Sequence, residues 1–119
     1  MKLFAESRMI GADILLAVWG GTQPHIGSVV ISVPRQSLAD STSTSITSSV
    51  YNFSGHKDEA IAKIFAEAIA VACKRTTVVT AGFHLDNLKK EDIQQVLRTA
   101  EKLSSRLSKN LLGAISASG

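Results

Sequence analysis

The stretch DEAIAKIFAEAIAVACKRTTVVTAG, Asp58 to Gly82, changes its period in mid-course, and that change decides the fold. In its first part Ile61, Ile64, Phe65, Ala68, Ile69 and Ala72 recur at three- and four-residue steps, the spacing of one face of an α-helix. A helix is therefore predicted from about Lys57 to Arg75. Asp58 and Glu59 at its start, and Lys74 and Arg75 at its end, match the sign of the helix dipole. Thr76 to Ala81 then reads as a short β-branched strand ending at Gly82. Upstream, Ile46 to Phe53 carries Val50, Tyr51 and Phe53 among many hydroxyls and reads as a strand with one wet face. Strand, helix and strand in this order predict a right-handed parallel crossover.

Outward from this unit, Lys2 to Arg8 and Ala12 to Trp19 are two strand-like runs separated by Met9-Ile10-Gly11, and they pair as a hairpin. Gly20-Gly21-Thr22-Gln23-Pro24 breaks the pattern. A third run, His25 to Val33, stops at Pro34, and Arg35 to Ser45 is polar and too short to separate domains. On the C-terminal side Ile93, Val96, Leu97, Ala100, Leu103 and Leu107 predict a second amphipathic helix from about Lys90 to Lys109, with Asp86 or Asn87 placed to cap it. Beyond Leu112 no amphipathic pattern continues, and residues 113–119 read as a frayed tail. The expected fold is α+β: one domain over residues 1–112, a mainly antiparallel sheet with one βαβ crossover, and both helices packed on one face.

Composition narrows the function classes. The 119 residues are 45% hydrophobic, enough for a single core. The formal charge of +3, from 13 basic and 10 acidic residues, is dispersed, and aromatics make up only 5%, which argues against nucleic acid as a partner. Cys73 has no partner for a disulfide and falls in the helical pattern, so it reads as core. The first residues mix charge with apolar side chains, and the longest apolar run, Ile14 to Trp19, is far too short to cross a bilayer; a soluble, cytoplasmic protein with no membrane partner is expected. A short chain that leaves one sheet face open also gains by pairing that face, so a homo-oligomer is expected.

Chemistry concentrates at the strand ends. All three histidines sit there beside small or polar residues, in Pro24-His25-Ile26-Gly27, Gly55-His56-Lys57-Asp58 and Gly82-Phe83-His84-Leu85-Asp86-Asn87. The second motif opens a helix, where unpaired N–H groups and the positive dipole end favour an anion. His56 and Lys57 add donors, and Ser54 can cap the helix or touch a phosphate oxygen; a plain strand-to-helix turn explains the same residues. In the third motif His84 and Asp86 are two apart, which places them on one side of extended chain and can orient the imidazole; helix capping by Asp86 and Asn87 is the competing explanation. The Gly55 and Gly82 loops leave parallel strands at one end of the sheet, and His25 joins them if its strand runs antiparallel. No histidine pair has zinc-motif spacing, and no phosphate-binding Gly-rich loop or nucleophile elbow is present.

With Gly20-Gly21, the segment from Pro24-His25-Ile26-Gly27 to Pro34-Arg35, Gly55-His56-Lys57-Asp58 and Gly82-Phe83-His84-Leu85-Asp86-Asn87 in this order, the chain resembles the small LpdD-type proteins that accompany UbiD-like decarboxylases. It departs from the family pattern at Leu88-Lys89, where a small residue and a threonine are expected before the acidic turn. The resemblance implies a flavin-binding accessory protein or chaperone that handles prenylated FMN, or FMN itself, for a UbiD-like decarboxylase of hydroxyarylic acids. It implies no catalytic residue and no metal ligand, and a cofactor site built from His25, Gly27, Ser54, Gly55, His56, Lys57, His84, Asp86 and Asn87. Two alternatives stay open: a small enzyme with a His/Asp acid–base or metal site at the strand ends, and a non-catalytic docking subunit.

Overall fold

The computed structural model describes residues 2–36, 38–39 and 42–118. Strands β1 (Leu3–Ile10), β2 (Asp13–Gly21), β3 (Ser28–Gln36) and β4 (Thr44–Asn52) precede helix α1 (His56–Cys73); β5 (Thr77–His84) and helix α2 (Lys90–Ser118) follow. The strands form one sheet in the order β1-β2-β5-β3-β4. As the alternation of Lys2 to Trp19 predicts, β1 and β2 form an antiparallel hairpin, turned at Gly11 with φ +60°. β3 pairs antiparallel with both β4 and β5, and β2 with β5 is the parallel pair, so the fold is α+β with a mostly antiparallel sheet.

The crossover through α1 is present but spans one more strand than the sequence suggests. β4 and β5 run in the same direction because each is antiparallel to β3, which lies between them. β3 also continues through Pro34 to Gln36, where the sequence reading stops it at Pro34. Its pairing with β5 ends at Ser32 opposite Thr77, so beyond that point β3 is an edge on this side, where proline is tolerated. Arg75 Nη1 donates to the Ala12 carbonyl at 2.9 Å and fastens the start of β5 to the first hairpin.

Both helices cover the same face. From the sheet Ile14, Leu16, Val18, Val30, Val79, Ala81 and Phe83 point into the core, where they meet Ile61, Phe65, Ala66 and Ile69 of α1 and Val96 and Ala100 of α2. Cys73 is buried with them, and burial pushes its thiol upward from the ordinary range, in keeping with a packing role. Under α1 a polar chain ties helix to sheet: Ser48 Oγ donates to Glu67 Oε2 at 2.7 Å and lies 2.8 Å from Ser32 Oγ. α2 runs to Ser118, which corrects the expected end near Lys109 and the reading of residues 113–118 as frayed. Leu103, Leu107, Leu111 and Ile115 continue the apolar stripe at four-residue steps and pack against the core, carrying the helix past Gly113. Among the described residues no helix is long and apolar enough to cross a membrane.

Phe65 is fully buried at the centre of the α1–sheet contact. Phe65→Ala is expected to lower stability by roughly 3–5 kcal/mol, read from the midpoint of chemical denaturation at unchanged slope.

Candidate functional site

Antiparallel pairing brings the start of β3 to the same end of the sheet as the C-termini of β2, β4 and β5, so all three histidine loops meet there. The residue that joins them is Asp58, which is wholly buried in the first turn of α1. Its Oδ2 accepts from Ser54 Oγ at 2.5 Å and from His25 Nε2 at 3.0 Å. Its Oδ1 accepts from the Phe83 backbone N–H at 3.0 Å and from Lys57 Nζ at 3.2 Å. Four donors on two oxygens use the full accepting capacity of a carboxylate. Burial raises the carboxyl pKa, but the Ser54 and Phe83 hydrogen bonds and the Lys57 ammonium outweigh it, and the net shift is downward from the ordinary 3.8.

His25 is held from both sides. Nδ1 lies 3.0 Å from the Gln23 carbonyl oxygen and Nε2 faces Asp58. Both partners are acceptors, so only a ring carrying both protons makes the two bonds together. Two glycines let the loops come this close. A Cβ on Gly27 would run into the Asp58 carboxylate and the Ser54 hydroxyl, and a Cβ on Gly82 would collide with the His25 carbonyl. Gly27 is therefore buried behind the network and faces no cleft.

The remaining candidates lie around this centre. Gly55 is the N-cap of α1 at φ +155°, a backbone that side chains rarely adopt, and no side chain caps the helix, because Ser54 points its hydroxyl at Asp58. The first-turn N–H groups consequently have no side-chain acceptor, with His56 exposed beside them and the Lys57 side chain 22% accessible. At the end of β5, His84 Nε2 lies 3.1 Å from Asp86 Oδ1, as their two-residue spacing anticipates. That bond corrects the cap expected from Asp86. α2 starts instead with the Asp92 carboxylate accepting from the Lys89 N–H at 3.0 Å, while Asn87 adopts a left-handed φ of +59° that turns the chain. Gln23, Pro24, His25 and His84 line an open cleft of about 410 Å³. No group of three or more His, Cys, Asp and Glu side chains converges at metal-binding range among the described residues.

The structure brings all nine residues expected from the sequence to this end of the sheet, eight of them toward solvent or the cleft and Gly27 buried behind the network, and it adds Asp58 and Gln23, which the sequence reading leaves out of the site. Asp58 is assigned there only a dipole role, because its donors His25 and Phe83 lie 33 and 25 residues away and leave no local signal.

The model of the prenylated flavin chaperone LpdD-like domain matches residues 1–112 of this chain. The chain belongs to that family. Protein LpdD of Lactiplantibacillus plantarum is 28% identical over 106 residues, which cover 89% of this chain and 74% of that protein. The family match spans all five strands, α1 and most of α2, including every residue of the Asp58 network in this LpdD-like domain.

Because the folded carboxyl of Asp58 titrates below its unfolded value, its contribution to stability is complete above about pH 4 to 5 and is lost as pH falls through the folded pKa. Asp58→Asn keeps the shape but removes the charge, and is expected to cost about 2–4 kcal/mol near neutral pH. The gap between parent and variant in urea denaturation should stay level from pH 8 to pH 5 and narrow as pH falls below about 4, where the unfolded parent takes up a proton that the folded carboxylate still refuses, until the folded acid is protonated as well.

Proposed function

We propose that this LpdD-like chain binds prenylated FMN, or FMN, at the strand ends and holds it for a UbiD-like decarboxylase. The observation that carries this reading is the convergence of the three histidine loops on Asp58 beside an open cleft, in a chain of the prenylated flavin chaperone family. The residues fit the group. A phosphate suits the uncapped start of α1, where first-turn N–H groups, His56 and Lys57 are all donors. Lys57 Nζ spends one of its three donors on Asp58 and keeps the others for a phosphate oxygen. A flat ring system suits the cleft of His25 and His84, with His84 oriented by Asp86 and Asn87 turning the chain out of the way.

The flavin carries the reactive ring; the protein supplies binding and orientation. A chaperone must also let go. His84 is 43% accessible and Asp86 77% accessible, so the pair that meets the ring is solvated and contributes modestly to affinity, whereas the rigid part of the site lies one layer below, in the buried Asp58 network. That division suits a protein that shapes a site in advance and then releases its cargo to a partner. A homo-oligomer, cytoplasmic residence and a decarboxylase of hydroxyarylic acids as recipient belong to the same proposal.

Titration of FMN and prenylated FMN into the parent, Lys57→Gln and His84→Ala tests it. Lys57→Gln is preferred to charge reversal, because a glutamate there would face the Asp58 carboxylate. Lys57→Gln should weaken binding by about 1–3 kcal/mol, the range of charge-assisted hydrogen bonds. His84→Ala should weaken binding or shift the flavin spectrum, with circular dichroism unchanged in both variants. A parent that binds neither flavin overturns the proposal, and unchanged affinity in both variants removes the phosphate and ring from these loops. Loaded parent should restore activity to a cofactor-free UbiD-like decarboxylase more efficiently than free prenylated FMN.

A further inference from the structure

We infer that the sheet face opposite the helices is covered by a second copy of this chain. Strand alternation puts Ile14, Leu16 and Val18 into the core and their neighbours on the outside, where a solvated face would carry polar side chains. On the three central strands the outer positions are instead mostly apolar, with Leu15, Ala17 and Trp19 on β2, Val78 and Thr80 on β5, and Val29, Ile31 and Val33 on β3, flanked by the hydroxyl row Ser45, Thr47 and Ser49 on β4. Leu15 and Ile31 are each 40% exposed and Val33 43%. At the β1 margin Phe4 stacks on Trp19 with centroids 6.0 Å apart, and at the β4 margin Tyr51 packs against Phe53 at 5.8 Å. A contiguous apolar face of this kind on a small protein marks an interaction surface.

Three features select a second copy as the occupant. The middle of the face is uncharged, while its charges, Glu6 and Arg8 on β1, Asp13 at the start of β2 and Arg35 near the end of β3, lie toward the margin with both signs represented, so the face presents no net field that calls for a partner of opposite charge. A patch that is apolar in the centre and mixed at the rim complements itself across a two-fold axis, and twisted sheets stack face to face at about −30°. The size also suffices. Five strands spaced about 4.8 Å apart, paired over about seven residues of about 3.3 Å each, make a plate of roughly 550 Å² before side-chain relief is added. Specific interfaces begin near roughly 600 Å² per partner.

The same packing bears on the site, and this clause rests on the flavin reading. His84 shares its side of β5 with Val78, Thr80 and Gly82, so the cleft of Gln23, Pro24, His25 and His84 adjoins the end of this face, and a second copy would give the open cleft another wall.

The test uses the flavin-free protein, so its failure leaves the flavin titrations untouched. Light scattering across the micromolar range should report about 25 kDa, twice the 12.6 kDa chain. Trp19, the single tryptophan, lies on the face and reports its coverage. Its emission should shift to the red and its quenching by acrylamide should rise when the parent is diluted until it dissociates, a measurement that needs no variant. The Leu15→Arg/Ile31→Arg double variant should be a folded monomer by circular dichroism and scattering, with Trp19 already red-shifted, while Lys102→Glu on α2 should remain a dimer. A parent that stays monomeric overturns the inference, and so does a parent that joins only an added decarboxylase, which would assign the face to that enzyme. A folded double variant that remains dimeric, or a parent dimer whose dissociation leaves Trp19 emission unmoved, overturns it as well.

Discussion

A carboxylate taken fully out of water is tolerated only while its charge is paired and its lone pairs are filled, and Asp58 meets that condition with groups from three separate segments. Ser54 comes from the β4–α1 turn and Lys57 from the first turn of α1 that continues it, His25 from the β2–β3 loop, and the Phe83 N–H from the end of β5. Loss of any one leaves a buried acceptor short of a donor, so the three loops keep their positions together. The arrangement also explains why so much glycine gathers here. Gly27 and Gly82 are the places where one backbone must pass another at a distance that no Cβ permits.

How far the sequence carried this reading depended on the range of the interaction involved. Local periodicity sufficed for the first hairpin, for α1 and for the β-branched β5, because each is specified by neighbours within a few residues. Antiparallel return of the third strand, raised there as the condition for bringing His25 to the other loops, is what the sheet adopts. The insertion of β3 between β4 and β5 was not legible, since strand order is settled by which faces and edges pack best and leaves no mark at any single position. Pro34 even pointed the other way, as a stop, because the sequence does not reveal that β5 begins opposite Ser32 and leaves β3 unpaired on that side beyond it. The length of α2 was legible in principle. Leu103, Leu107, Leu111 and Ile115 keep a four-residue step, but Gly113 and the serines around it obscured it.

The candidate site shows the same boundary. Histidines, glycines and a lysine at strand ends were visible as residue types, whereas the centrality of Asp58 was not. An acid in the first turn of a helix is fully explained by the dipole, and its burial exists only once Phe83 and His25, 25 and 33 residues away, close over it. Asp86 illustrates the converse. Its two-residue distance from His84 was a local cue and survived, while its expected role as a cap was lost to Asp92, which reaches back to the Lys89 N–H from inside the helix.

The position of β5 has a consequence for how the molecule forms. This strand is the last of the five to be synthesised, yet it lies in the middle of the sheet, with the β1–β2 hairpin on one side and the β3–β4 hairpin on the other. Until residue 84 is available the two hairpins share no hydrogen-bonded edge, and each presents an apolar surface with nothing to cover it. Joining them closes long stretches of chain before most of the stabilising contacts exist, which slows folding and concentrates it late. The five-stranded sheet, and with it the ring of loops at its end, can therefore be completed only after β5 is in place.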